Sequence, residues 1–372
     1  MKNRKLILLV INFTLILTIS LGSVFAGDSP ARIIQDRQLQ QLRKAIAQYE
    51  KLSQKHEWKT LQLPKTTLKL NDTAQVLINI KDRLELFDDL RPGRSTNEFT
   101  FKLEEAVKRF QFRHGIEEDG VIGPEFMRAL NVPLEKRIEA LKINLNRVEV
   151  DTTVYIGKRL IANIPEYKLY VYEDADPVLT MDIVVGKSSN QTVVFTDTLE
   201  SIVFSPYWNV PESIVRNEII PAMNKNSGYL SRNNMEITGQ RNGLPVIRQL
   251  PGSDNSLGLV KFLFPNKYNI YFHDTPAKSL FERKKRAFSH GCIRLSEPVE
   301  LAKYLLKDRP EWDEFAIFDA MHSGSEKWVK VNEPIPVSII YYTSWIDKSG
   351  LIHFADDIYG LDKTYDDIAY IE

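Results

Sequence analysis

Apolar positions in the first part of the chain recur at intervals of three and four. Between Ile33 and Leu52, Leu39, Leu42, Ile46 and Tyr49 fall on one face of an amphipathic helix. Trp58, Leu61 and Leu63 then lead into Pro64 and a Thr/Lys-rich connection. From Leu68 to Asn131 the pattern is of short helices with a glycine-punctuated turn. Leu103, Ala106, Val107 and Phe110 follow i, i+3, i+4, i+7, and that helix is expected to end near His114-Gly115, where glycine accepts a left-handed cap. Asp119 to Pro124 reads as a turn with proline opening the next helix, whose apolar side is Phe126, Met127 and Leu130. For His114, Gly115, Asp119 and Gly123, turn and cap geometry of a small helical fold accounts for the residue types. Leu134, Ile138, Leu141, Leu145 and Val148 predict a further, linking helix.

The period then changes to two. Leu160 to Ile164, Leu169 to Tyr172, Leu179 to Val185 and Ile202 to Phe204 are short β-branched or aromatic runs between turn residues, as expected of strands. Trp208 to Gly239 interrupts them with helical turns and a polar stretch, which predicts an inserted subdomain over a site. Strand patterning returns at Ile270 to His273. A helix is expected over Pro298 to Leu306 with Ser296 as its N-cap, and a strand over Val337 to Tyr342. The fold class is therefore multidomain α+β, an all-helical module followed by a mostly-β domain with a capping insertion. The boundaries expected are a helical scaffold segment at 27–65, a small helical domain at 66–134, a linker helix at 135–151 and the β domain at 152–372, with the insertion at about 207–250.

The first 26 residues read as an export signal: Lys2, Arg4 and Lys5, an apolar run from Leu6 to Leu21, then small residues at Val24 and Ala26 before Gly27. An uncleaved anchor is the alternative reading of that run. In either case the working part is expected outside the cytoplasm, in the periplasm or cell envelope. Of 372 residues, 49 are basic and 49 acidic, so the basic footprint of a nucleic-acid binder is missing. A hydrophobic share of 43% argues against a disordered chain. The single cysteine, Cys292, excludes an intramolecular disulfide and a multi-cysteine zinc site.

A lone thiol in an exported chain is either a buried small hydrophobe or a nucleophile. Its neighbours decide. Cys292 lies in Ser289-His290-Gly291-Cys292-Ile293-Arg294, and His273 precedes it by nineteen positions. A thiol nucleophile needs a base, a group that orients the base, and amide donors for an oxyanion. His273 is the candidate base, on the same strand face as Tyr271. The carbonyl of Asp274 is placed to fix its tautomer, and the amides of Gly291 and Cys292 are candidate oxyanion donors. The basic residues Arg283, Lys284, Lys285, Arg286 and Arg294 would favour thiolate if close in space, although a solvated loop explains Arg283 to Arg286 as well. Neither a metal nor a cofactor is required by such chemistry.

The segment Ala106 to Gly115, with Asp119 to Pro124 after it, resembles the peptidoglycan-binding family of three-helix modules. His273-Asp274-Thr275-Pro276 and Ser289 to Arg294 together resemble the signature of the L,D-transpeptidase catalytic domain, often called the YkuD domain. The likeness extends through Asn163-Ile164-Pro165, Val184-Val185-Gly186, Pro206 to Pro211, Asn255 to Gly258 and Asp356 to Gly360. It implies that Cys292 attacks the third residue of a tetrapeptide stem, expels D-alanine, and passes the acyl group to a diaminopimelate amine in a 3→3 cross-link. It also implies carbapenems as inhibitors and substrate contacts at Arg294, Tyr271, His290, Ser289, Trp208 and Gly258. Peptidoglycan stem peptides are the partners expected. A carboxypeptidase or endopeptidase using the same thioester, protein attachment to the stem, and a non-catalytic wall-binding protein are the alternatives.

Overall fold

The computed structural model describes residues 30–151, 156–174 and 176–363, so the export signal lies outside the described residues. Helices come first: α1 (Pro30–Lys55), α2 (Val76–Leu86), α3 (Phe101–Arg113), α4 (Pro124–Leu130) and α5 (Leu134–Glu149). Thr100 caps α3 by accepting from the Leu103 amide, and Gly115 takes φ +60° just beyond it. Pro124 opens α4, where its missing N–H costs nothing. Gln111 donates to Asp119 at 2.7 Å and so pins the turn between α3 and α4.

The scaffold segment, the small domain and the linker helix, separable in sequence, share one apolar core. Leu42, Ala45 and Tyr49 of α1 pack with Leu77, Phe110, Phe126 and Leu141. Tyr342, Ile346, Ile352 and Phe354, from the far end of the chain, join them. At its centre Arg113, 1% exposed, donates to Asp89 at 2.6 Å. His114 lies against the Phe110 ring, with Nδ1 2.7 Å from the Phe110 carbonyl and Nε2 2.8 Å from Arg137. It is a packing residue.

The second half supplies β1 (Arg159–Asn163), β2 (Lys168–Glu173), β3 (Asp176–Gly186) and β4 (Phe195–Phe204). An insertion follows, containing β5 (Trp208–Asn209), α6 (Glu212–Ile214), a π-helical turn (Val215–Ile219), α7 (Ile220–Lys225), α8 (Tyr229–Arg232), β6 (Met235–Arg241) and β7 (Leu244–Gln249). Next come β8 (Val260–Leu263), β9 (Phe272–His273), β10 (Ala287–Ser289), β11 (Ile293–Leu295), α9 (Pro298–Leu306), α10 (Glu314–His322), β12 (Lys327–Ile340), β13 (Ser344–Ile346) and β14 (Ile352–Phe354).

The main sheet has the order β10-β3-β11-β9-β8-β4-β12-β1-β2, and β2 also pairs with β3. That pairing closes the sheet into a barrel with β10 outside the ring, so its edges are largely removed. Leu160, Leu169, Ile183, Ile202, Phe262, Phe272 and Ile293 fill the interior, and Leu301 of α9 and Ile317 of α10 continue the same core. The insertion has its own three-stranded sheet and its own cluster of Val210, Ile214, Val215, Ile219 and Ile247. The α+β class expected from the change of period is the one observed.

Two local expectations are corrected. Ser296 does not cap α9; Glu297 holds that position, and the Ser296 hydroxyl accepts from the Asp182 amide at 3.1 Å, tying α9 to β3. The strand expected from Val337 is the end of a much longer one, β12, whose first part alternates buried Val329 and Val331 with exposed Lys330 and Asn332 before Glu333 and Pro334 interrupt the apolar pattern.

Candidate active site

β9 and β11 run side by side and parallel, with Phe272 opposite Ile293 and His273 opposite Arg294. Phe272 and Ile293 are fully buried in the barrel interior. Alternation therefore turns Tyr271, His273, Cys292 and Arg294 together onto the other face. The Tyr271 and His273 rings meet edge-on at 5.7 Å, and Tyr271 lies close enough to Cys292 for the two to influence each other electrostatically. The Cys292 thiol donates to the Asn269 carbonyl at 3.6 Å.

His273 is 4% exposed, with Nδ1 2.5 Å from the Asp274 carbonyl. A carbonyl only accepts, so Nδ1 carries the hydrogen and Nε2 keeps its lone pair. Burial, reinforced by the charge of Arg294, pushes His273 down to about 3, with the Asp274 carbonyl opposing. Burial pushes the Cys292 thiol up, with Tyr271 and Arg294 opposing. The same face of the sheet thus carries a neutral thiol and a neutral imidazole.

Other sequence-derived candidates have different places. Arg283 to Arg286 do not face the thiol. Arg286 pairs with Asp182 at 2.9 Å, Lys284 with Glu125 of α4 at 2.8 Å, Lys285 approaches Asp356 at 3.7 Å, and Arg283 lies over Phe288. Lys284 thereby joins the barrel to the helical module, and all four line a cleft of about 960 Å³ between the two. Arg294 is the cation that acts on Cys292, and its Nε is buried without a partner among the described residues.

The Gly291 amide, expected as an oxyanion donor, is occupied here, donating to Ser289 Oγ at 3.1 Å. The Cys292 amide has no acceptor among the described residues. Ser289 is spent on the turn: its hydroxyl also donates to the Cys292 carbonyl. Gly258 has φ +63°, and a Cβ there would lie 2.3 Å from Asp274 Oδ2. Its role is to let the Asp274 carboxylate close on the Leu259 amide at 2.9 Å, while Lys278 holds the same carboxylate at 2.7 Å. Trp208 packs against the insertion's own apolar cluster and so builds the cap. His290 donates from Nε2 to Glu218 at 2.7 Å, linking the nucleophile turn to the π-helical turn of the cap.

Asn269 and Glu218 were not foreseen. Asn269, at φ +54°, carries the turn signal of an asparagine, whereas nothing near Glu218 in sequence points to Cys292. Among the described residues no group of three or more His, Cys, Asp or Glu side chains is placed to hold a metal ion. No described helix is long and apolar enough to cross a membrane.

Comparison with known proteins gives this arrangement its class. Residues 157–323 match the family model of the L,D-transpeptidase catalytic domain (YkuD), and residues 73–130 match that of the "Putative peptidoglycan binding domain". The chain therefore carries a helical domain that matches the peptidoglycan-binding family, followed by a barrel that matches the L,D-transpeptidase catalytic-domain family. A Haemophilus influenzae protein named "Putative L,D-transpeptidase" is 32% identical over 241 residues, 60% of this chain and 48% of that protein. The match thus spans about half the length of the relative. A solved L,D-transpeptidase from Stackebrandtia nassauensis is 13% identical, covering 75% of this chain and 97% of its own, with a TM-score of 0.31. One from Xylanimonas cellulosilytica is 14% identical, covering 75% and 100%, with a TM-score of 0.23.

Proposed function

We propose that the protein is a peptidoglycan L,D-transpeptidase that forms 3→3 cross-links through a thioester on Cys292. The observation that carries the reading is the placement of Tyr271, His273, Cys292 and Arg294 on one sheet face. Cys292 Sγ attacks the carbonyl of the third stem residue while His273 Nε2 takes the thiol proton. The Cys292 amide donates to the oxyanion. Collapse breaks the bond to D-alanine, whose amine leaves with the proton from His273. The amine of a second stem then attacks the thioester, loses its proton to His273, and the thiol is regenerated.

Arg294 is suited to the substrate carboxylate, which would supply the partner its buried Nε lacks. The same carboxylate would offset the charge that depresses His273, so donor binding makes the base stronger. The helical module, as a peptidoglycan-binding-type domain, holds the enzyme on its polymer in the cell envelope. Carbapenems, with a strained acyl bond, would acylate the same thiol.

The test incubates wild type and Cys292→Ala with disaccharide tetrapeptides and resolves products by mass spectrometry. Dimers linked 3→3 and made by the wild type alone are expected. Tripeptide without dimer would replace transpeptidation by carboxypeptidase action, and equal turnover by both proteins would remove Cys292 from the chemistry.

A further inference from the structure

The peptide unit between Gly291 and Cys292 has two ends. Its N–H is the free amide of Cys292; its carbonyl belongs to Gly291. In a trans peptide these two groups point in opposite directions, so whatever fixes the carbonyl aims the amide. The carbonyl accepts from Thr192 Oγ1 at 2.8 Å, a bond joining residues far apart in the chain. Thr192 is 3% exposed, and its hydroxyl also accepts from the Gly186 amide at 2.9 Å. With one proton given and one received, that hydroxyl has a single orientation.

Thr192 is itself held. Tyr359 accepts from the Thr192 amide at 3.2 Å and donates to the Gly186 carbonyl at 2.6 Å, closing the loop between Gly186 and Thr192 at both ends. The loop is tight: a Cβ on Gly186 would lie 2.1 Å from the Asn190 carbonyl oxygen. The Tyr341 hydroxyl in turn accepts from the Tyr359 amide at 2.8 Å and donates to Asp357 at 2.6 Å.

We infer that Thr192, locked by Tyr359, is a positioning residue for the oxyanion donor of Cys292. This rests on the reading of Cys292 as the acylated nucleophile. Thr192 touches no reacting atom. It acts by holding the one peptide plane whose amide must point at the developing negative charge, and preorganised donors of that kind govern acyl-transfer rates. The bond is not legible from the cysteine motif, because Thr192 lies a hundred residues upstream in the loop after β3.

Two thiol reactions separate this role from a general structural one. Acylation of Cys292 by imipenem passes through an oxyanion; alkylation by iodoacetamide displaces iodide and forms none. Thr192→Val is expected to slow imipenem acylation by about 10- to 100-fold, less than the roughly 100- to 1,000-fold of a donor removed outright because the amide is misaimed and not lost, and to leave iodoacetamide alkylation within twofold of wild type. Thr192→Ser, which keeps the hydroxyl, is expected to restore acylation, and Tyr359→Phe to show the Val pattern more weakly. Both rates falling together in Thr192→Val, or neither falling, would overturn the inference while leaving the nucleophile in place. No imipenem adduct on Cys292 of the wild type would overturn the nucleophile reading and this inference with it.

Discussion

His273 is a buried imidazole that folding holds neutral, and this has a consequence for stability. Its value falls from the ordinary 6.5 to about 3 on folding. Between those limits the unfolded chain binds a proton that the folded chain does not, so stability is full above about pH 6.5 and is lost as pH falls toward 3. His273→Gln is expected to flatten that part of the acid-denaturation profile, which urea midpoints at a series of pH values would measure. Gly258 gives a second prediction at this scale. Gly258→Ala combines a left-handed backbone with a Cβ inside the Asp274 carboxylate, and is expected to destabilise the barrel by about 1–3 kcal/mol. Thermal denaturation would check it, and an unchanged midpoint would contradict the packing described for Gly258.

At the scale of elements, the nucleophile turn is bridged to the cap by His290 and Glu218. Glu218→Ala is expected to speed hydrogen exchange across the helical turns of the cap while β9 and β11 stay protected. Unchanged exchange there would mean the contact does not restrain the cap. How much of the site was legible also differs by element. Long helices with repeated apolar positions, such as α3 and α5, announce themselves. β9, β10 and β11 are two or three residues long, too short for a period, and were visible through the residues they carry. Cys292 and His273 stood out because sulfur and imidazole are scarce in this chain. The occupied Gly291 amide was not legible, since it depends on which way the Ser289 hydroxyl turns. The basic run at Arg283 to Arg286 misled because closeness in sequence to Cys292 is not closeness across the sheet; its charges are matched by Asp182, Glu125 and Asp356 instead.

For the whole molecule, the helical module and the barrel are joined through the end of the chain. Ile346, Ile352 and Phe354, from the hairpin of β13 and β14, pack in the module's core, and Arg113 reaches the Ile352 carbonyl at 3.4 Å. Arg147 of α5 also pairs with Asp362 at 2.7 Å. Asp89→Ala would leave Arg113 buried without its carboxylate, and is expected to cost about 3–5 kcal/mol. Because the hairpin shares that core, the loss is expected as a lowered midpoint for the module and hairpin together, read by circular dichroism and by the fluorescence of Trp345. Two widely separated transitions would contradict a shared core. The central claim is that Cys292 carries the acyl group, and it is tested most directly by the mass of the intact protein after brief exposure to a tetrapeptide stem, followed by acid quench and peptide mapping. The expected result is a tripeptide-acyl adduct confined to the peptide containing Cys292 and missing from Cys292→Ala. An adduct on another residue, or cross-linked product without any adduct on Cys292, would contradict it.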